Sequence, residues 1–397
     1  MKETTAKGKT LTTIKSVMVK NTMIIILILV FILFDILTQG RLLYAQNMSN
    51  LLLQNAYVII LACGMLLCIL TGGNIDLSVG CVVCVCGSIA AQLMDKTNIN
   101  AILVIFATLG VALIIGCWHG FLIGYKRIPP FIVTLAGMFL FRGIARLILD
   151  SKTINCQNDL FLNIFSSYIT FPGIDAGEVK WSAFIAGILV SIVYVIMSFI
   201  GRVKKSRKGY STPSLGSTLT KISVISACVV FYSWKMAHYK GIPIMALWCI
   251  LVVLIYAYLT KNTVFGRNFY AVGGNEKAAK LSGIDTNKIF FSAYVNVALL
   301  AGLCGLIVLA RVGSVNGDTG TQYELDSIGA CFIGGASAYG GSGTIGGAIV
   351  GAIVMGIINQ GMSIYGLNTN WQFVIKGAVI LAAVFFDIRF NHKNTAK

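Results

Sequence analysis

Charge is what this chain has least of. Only 11% of its 397 residues are Asp, Glu, Lys or Arg, where a soluble domain carries roughly 25%. With 57% of residues hydrophobic, too little polar surface remains to cover so large a core, which argues against a soluble all-α domain. Histidine is scarcer still: His119, His238 and His392 lie far apart. No CxxC pair recurs among the eleven cysteines. They sit mostly inside apolar runs, such as Cys81, Cys84 and Cys86, or Cys63, Cys68 and Cys117. That pattern weakens metal and disulfide readings alike and fits small packing residues. A nucleotide site is missing too. Gly8-Lys9-Thr10 ends like a phosphate-binding loop, but Glu3 stands where that loop needs glycine. No small-x-small cleavage site follows the first apolar run, so it reads as a retained helix. No long soluble stretch interrupts the chain; the largest polar segments are 150–180, 201–221 and 261–288. An energy source or large recognition domain therefore belongs to another chain, unless an ion gradient drives the protein.

What is present is a series of apolar runs, each near the roughly 20 residues a helix needs to cross a bilayer. They read as an all-α polytopic transmembrane bundle of about 10–12 spans. The expected spans are 22–38, 51–70, 77–94, 101–124, 129–149, 181–200, 222–238, 243–260, 289–310, two segments within 327–361, and 371–387. The count falls to ten or eleven if 222–238 and 327–340 do not cross. With the N terminus inside, 21 of the 31 basic residues fall in inside segments, as the positive-inside rule requires. The net charge of +17 is thus read as topology, not as nucleic-acid binding. The organisation is a basic segment 1–21, a membrane domain 22–388 with inside loops 201–221 and 261–288, and a tail 389–397, both termini cytoplasmic. Outside loops take acids: Asp95, Asp150, Asp159, Asp175, Glu178, Asp318 and Glu324. Lys235 and Lys240 break the pattern, in a short loop expected outside.

Three glycine-marked stretches carry candidate function. In "TGGNIDLSVG", residues 71–80, Asp76 is the only charge from Leu51 to Met94. Gly72-Gly73 would break the helix, and Asp76 or Ser78 would cap the next one. The alternative is a broken helix lining a translocation path through Gly73, Asn74, Asp76 and Ser78, since irregular backbone at membrane depth survives only where protein or water satisfies it. In 326–361, Gly343, Gly347 and Gly351 form a GxxxGxxxG face suited to close helix packing, after a break at Gly340-Gly341. Ser342 within "GGSG" would need an embedded histidine to act as a protease nucleophile. The candidates are His392 in the basic tail and His119, which only an unusual topology would bring near. In 261–288, Gly273-Gly274 breaks the chain, Asn275 is an N-cap, Glu276 suits the first turn, and Gly283 suits the stop. A two-turn helix from Glu276 to Ser282, small-faced at Ala278 and Ala279, follows. So short a helix needs a surface, either its own membrane domain or a partner's groove. Other embedded charges are Asp35, Arg142, Arg146, Lys376 and Asp387. Asp35 and Asp76, the candidates for ion coupling, lie near span ends, which counts against an ion-coupled carrier without removing it.

"LTGGNIDLSVG" (70–80), "PFIVTLAGMFLFRGIARLI" (130–148), "GRNFYAVGGNEKAAKLSGI" (266–284) and "IGGASAYGGSGTIGGAIVGA" (333–352) together resemble the membrane permease subunits of bacterial ABC importers for monosaccharides, of the ribose, galactose and xylose branch. The extra segment at about 155–258 is more like the xylose-type and multiple-monosaccharide permeases. The resemblance implies an importer in the bacterial inner membrane. An extracytoplasmic binding protein would deliver the sugar, two permease copies or paralogues would form the path, and cytoplasmic ATPases would hold ATP and Mg. No cofactor is expected in this chain. The family's coupling loop maps onto Gly266, Arg267, Gly274, Asn275, Ala278, Ala279, Gly283 and Ile284, with Glu276 in its first turn.

Overall fold

The computed structural model describes residues 22–97, 99–175, 177–210 and 214–395. The basic segment 1–21 lies outside these residues, as do the side chains of Asp387 and of 389–395. Apolar runs without breakers become helices: α1 (Thr22–Leu37), α2 (Ala45–Leu70), α3 (Val79–Lys96), α4 (Ala101–Gly120), α5 (Pro130–Ile148) and a short α6 (Asp159–Phe165). The second half holds α7 (Trp181–Arg207), α8 (Leu215–Ala237), α9 (Ile244–Asn262), α10 (Val264–Gly274), α11 (Glu276–Leu281), α12 (Thr286–Val312), α13 (Tyr323–Ile333), α14 (Ile345–Tyr365) and α15 (Thr369–Thr395). Nine of the described helices are long and apolar enough to cross a membrane, and 23–37 and 369–385 are shorter apolar helices.

Of the twelve expected spans, nine correspond to helices of that length among the described residues, and 22–38 and 371–387 correspond to the two shorter apolar helices. The segment 327–340 does not cross: α13 has 11 residues, about 16 Å at 1.5 Å per residue, half of a hydrocarbon core. The doubtful 222–238 is part of a 23-residue helix, long enough to cross. The tail expected from 389 instead continues α15 as helix to Thr395.

The core is α2 and α12, whose most apolar windows are 83% and 78% buried within the chain. Around α12 pack α2, α3 and α4, and α14 lies against α1, α2 and α13. Two small bridges tie loops together on one face. There β1 (Ile154–Asn155) pairs with β4 (Ser314–Val315), and β2 (Tyr168–Ile169) pairs with β3 (Ile242–Pro243). Segments 71–74, 125–130, 263–285 and 334–344 meet on the opposite face. The loops thus alternate as expected from charge. Lys240 on the bridged face lies over the Tyr168 and Tyr239 rings, and Lys235 over Phe231, so aromatic faces accommodate the two exceptions.

From Gly313 the chain turns back into the bundle through the two-residue strand Ser314–Val315 and then a run of turns over 317–322. Val315 packs by Gly87, Asn316 accepts from the Cys84 thiol, and Arg142 donates to the Gly317 and Thr319 carbonyls at 3.0 and 2.8 Å. The segment ends at Gly320, where a Cβ on it or on Gly80 would lie 2.2 Å from the other's carbonyl oxygen. α3 and α13 therefore begin side by side deep in the bundle, each entered through a turn, at 77–78 and at 317–322. Glu324, expected in an outside loop, instead stands half-buried in the first turn of α13.

Candidate coupling junction

The α2 helix stops at Leu70 because two residues with positive φ follow, Gly72 at 119° and Gly73 at 76°. The Gly73 amide closes back on the Ile69 carbonyl at 2.8 Å, and Asn74 donates to the Thr71 carbonyl and hydroxyl, each at 3.2 Å. Asp76 is buried, 1% exposed. Its Oδ1 accepts from the Ser78 amide at 2.8 Å and the Ser78 hydroxyl at 2.6 Å. Ser78 is the N-cap residue of α3 but gives no side-chain cap of its own. Asp76 thus fixes the turn that launches α3, an Asx-type turn.

The three glycine pairs singled out by sequence meet in space. A Cβ at Gly273 would sit 1.7 Å from the Leu70 carbonyl oxygen and 2.6 Å from the Gly341 nitrogen. One at Gly73 would sit 1.9 Å from the Ala338 oxygen, and one at Gly340 would sit 2.4 Å from Gly72. The Gly341 amide donates to Leu70 at 3.1 Å, and the Tyr270 hydroxyl donates to Gly343 at 3.0 Å. Backbone rests on backbone at all three breaks, an approach open only to residues without a side chain.

From this junction the coupling segment runs out. Asn275 Oδ1 caps α11 by accepting from the Ala278 amide at 3.0 Å, as expected. The helix ends at Leu281, one residue short of the expected Ser282. Gly283 has φ +84°, and the Ile284 amide returns to Ala279 at 3.1 Å, the left-handed stop read from sequence. Asp285 then caps α12 by accepting from the Lys288 amide at 3.2 Å, and that bond holds its carboxyl below the usual carboxylate range. Gly266 makes the tight α9–α10 turn, where a Cβ would lie 2.1 Å from the Leu259 oxygen. Arg267 and Gly274 are exposed. The two alanines part company: Ala279 is buried against the membrane domain, and Ala278 is exposed. Leu281, which no local pattern in the sequence marks, is 90% exposed at the tip.

Arg127 latches this segment to the α4–α5 turn. Its guanidinium is 2.6 Å from Glu276 Oε1 and donates to Thr286 Oγ1 at 2.7 Å and to Asn287 Oδ1, and it lies over the Phe290 ring. Its own φ is +57°, a region few non-glycine residues adopt. Sequence counted it only as a loop charge; the glycine-free turn "KRIPP" gave no sign of four partners from 149 to 163 positions away. Thr71, Asn74, Arg127, Pro129, Glu276 and Phe290 border a cavity of about 370 Å³ between the first break and α11.

Gly347 and Gly351 do pack closely, with Cβ positions 2.2 Å from the Gly334 oxygen and 1.9 Å from the Ala330 oxygen of the α13 end. Gly343 is not on that face: it precedes the helix with φ +149° and borders Leu66 and Ala336. Of the embedded charges, Lys376 on α15 pairs with Asp326 on α13 at 2.9 Å, with side chains 7% and 0% exposed. Tyr57 of α2 and Asn359 of α14 also donate to Asp326. Arg146 pairs with Asp318 at 2.9 Å. Neither ring nitrogen of His119 has a hydrogen-bond partner among the described residues, so it does not activate Ser342.

A multi-helix membrane bundle whose helix breaks converge on a short surface helix has the architecture of a transport subunit. The chain belongs to the family described as "Branched-chain amino acid transport system / permease component", whose model matches residues 47–384. It is 35% identical to the xylose transport system permease protein XylH of Escherichia coli K12 over 365 residues, 92% of this chain and 90% of that one. It is 31% identical to the ribose import permease protein RbsC of the same strain over 342 residues, 86% and 85% of the two chains. It is 30% identical to the galactose/methyl galactoside import permease protein MglC over 376 residues, 92% and 93%. No solved structure matches the chain.

Proposed function

We propose that this permease forms the membrane path for a monosaccharide, xylose or a related sugar, imported at the expense of ATP hydrolysed on a separate cytoplasmic ATPase. The observation that carries the coupling is the junction of Gly72-Gly73, Gly273-Gly274 and Gly340-Gly341. A push on α11 is delivered by backbone contact to both helix breaks, with no flexible side chain between. Ala279 and Arg127 hold α11 to the membrane domain, leaving Ala278 and Leu281 for a partner's groove. Similarity to xylose, ribose and galactose permeases supports a sugar over the amino acids in the family's description. An extracytoplasmic binding protein, a second permease copy or paralogue, an inner-membrane location and cytoplasmic termini complete this reading. ATP and Mg would be held by the partner, and Gly73, Asn74, Asp76 and Ser78 would lie at or near the path.

The test is capture of the ATPase from the soluble fraction of the protein's own cell by the detergent-solubilised chain, wild type against Leu281→Glu with Ala278→Glu. Both positions are exposed, so the fold is retained. Capture by wild type and its loss in the variant supports the reading. Uptake by the chain alone, driven by an ion gradient and indifferent to the variant, sinks it in favour of a secondary carrier, with Asp35 and Asp76 the groups to titrate.

A further inference from the structure

The α7–α8 hairpin stands apart from the junction. α7 packs on α8, and α8 on α2; only 17% and 6% of their apolar windows are buried. Within α7 the buried residues are Ala183, Gly187 and Ser191, a small stripe that meets α8 at Ser233. The remaining apolar surface of α7 is what a lipid-facing helix presents. The bridged-face end carries an aromatic cluster of Trp181, Phe184, Trp234 and His238, with ring separations of 4.2–6.3 Å, as at a membrane interface. From Trp181 to Arg202 is 21 helical residues, about 32 Å, one hydrocarbon thickness. Arg202, Lys204, Lys205, Arg207 and Lys208 therefore fall at the phosphate level of the other leaflet.

Those five cations crowd seven residues, and no acid occurs anywhere from Val179 to Asn275. Lys204 and Lys208 are one turn apart, a spacing at which like charges repel. Yet α7 stays helical through Arg207, with residues 203–208 exposed. Orientation by the positive-inside rule needs an excess of cations but not this density at one depth. A helix end so charged, beside lipid and without an acid on its own hairpin, calls for an external anionic layer.

We propose that the α7–α8 tip docks anionic phospholipid headgroups. Arg202, which donates to Thr218 at 2.7 Å, joins the two helices beneath that surface. The proposal does not depend on which solute is carried. To test it, the purified chain is delipidated and equilibrated with mixed micelles of phosphatidylglycerol and phosphatidylethanolamine, and retained lipids are counted by native mass spectrometry. Wild type should keep phosphatidylglycerol in about fivefold preference. A variant with Lys204, Lys205, Arg207 and Lys208 all changed to Gln, a good helix former, should lose that preference. Changing Lys204, Lys205 and Lys208 to Arg should keep it. Equal retention by wild type and the Gln variant overturns the proposal. So does a Gln variant that binds lipid normally but no longer captures a soluble partner, which would make the tip a protein-docking surface.

Discussion

Two glycines on helices in the same chain, Gly273 and Gly201, have opposite surroundings. Gly273 in α10 is enclosed by the backbones of two helix breaks; Gly201 in α7 has none of the described residues within 4 Å of a Cβ. The difference separates a junction locked by backbone contact from a hairpin whose surface stands free of the rest of the chain. Backbone-to-backbone contact transmits displacement because neither side can swing away, whereas contact through long side chains dissipates it. Leucine substitution tests this most severely. Gly273→Leu should abolish the folded protein, since the overlap is with the Leu70 carbonyl and exceeds the about 1–3 kcal/mol of ordinary overpacking. Gly201→Leu should stabilise α7 by up to about 1 kcal/mol through helix propensity. Monodispersity after detergent extraction, followed by thermal melting, reads both; similar behaviour of the two variants would dissolve the distinction.

Sequence located the pieces of the junction but not their meeting. The caps and stops of α11 are local, made between residues at most five apart, so Asn275, Glu276 and Gly283 could be read in advance. Leu70 and Gly273 are 203 positions apart, and a glycine that terminates a helix looks the same as one that admits a neighbour's backbone. Gly343 illustrates the converse: a four-residue spacing suggested a helix face, but the helix begins only at Ile345, after the break. Asp326 gives no local sign of its role, because it opens an apolar, glycine-rich tract and Lys376, its partner, lies 50 positions on.

That ion pair is the second test of the core as a unit, because it pins the half-span α13 to α15, with Tyr57 and Asn359 adding α2 and α14. Lys376→Ala leaves Asp326 buried beside only neutral donors and should cost about 3–5 kcal/mol. Replacing both, Lys376→Met with Asp326→Leu, should recover most of that loss, as read from unfolding in detergent. A double variant no better than the single would mean that the pair does not act as one.

Arg127 tests transmission rather than stability. The Arg127 and Glu276 side chains are 40% and 42% exposed, so Arg127→Lys should change stability by less than about 1 kcal/mol. An ammonium cannot reproduce the forked contact with Glu276, Thr286 and Asn287 while lying over Phe290. On the proposed function, sugar-stimulated ATP hydrolysis should fall roughly tenfold, about 1–2 kcal/mol of coupling. Unaltered stimulation would show that the glycine contacts suffice without the latch.

The smallest effect is expected where the hairpin is fastened to the loop of the bridged face. Asp175 accepts from the Phe171 amide at 2.8 Å and from the Ser182 amide at 3.0 Å, and Lys180 donates to its carbonyl. The Ser182 side chain first, then the Phe171 and Ser182 amides, hold its carboxyl below the usual range against the opposing effect of desolvation. A carboxyl lowered on folding stabilises the loop above its unfolded value, about 3.9, and loses that contribution as pH falls through the lowered value. Asp175→Ala should therefore speed hydrogen exchange at the Phe171 and Ser182 amides near neutral pH, after correction for intrinsic rates. The gap from wild type should close as pH falls below that range, while exchange around Gly273 stays unchanged throughout. A gap that persists undiminished at low pH would mean that Asp175 acts by shape rather than charge. A change spreading to Gly273 would mean that the hairpin and the junction are mechanically one, which their packing argues against.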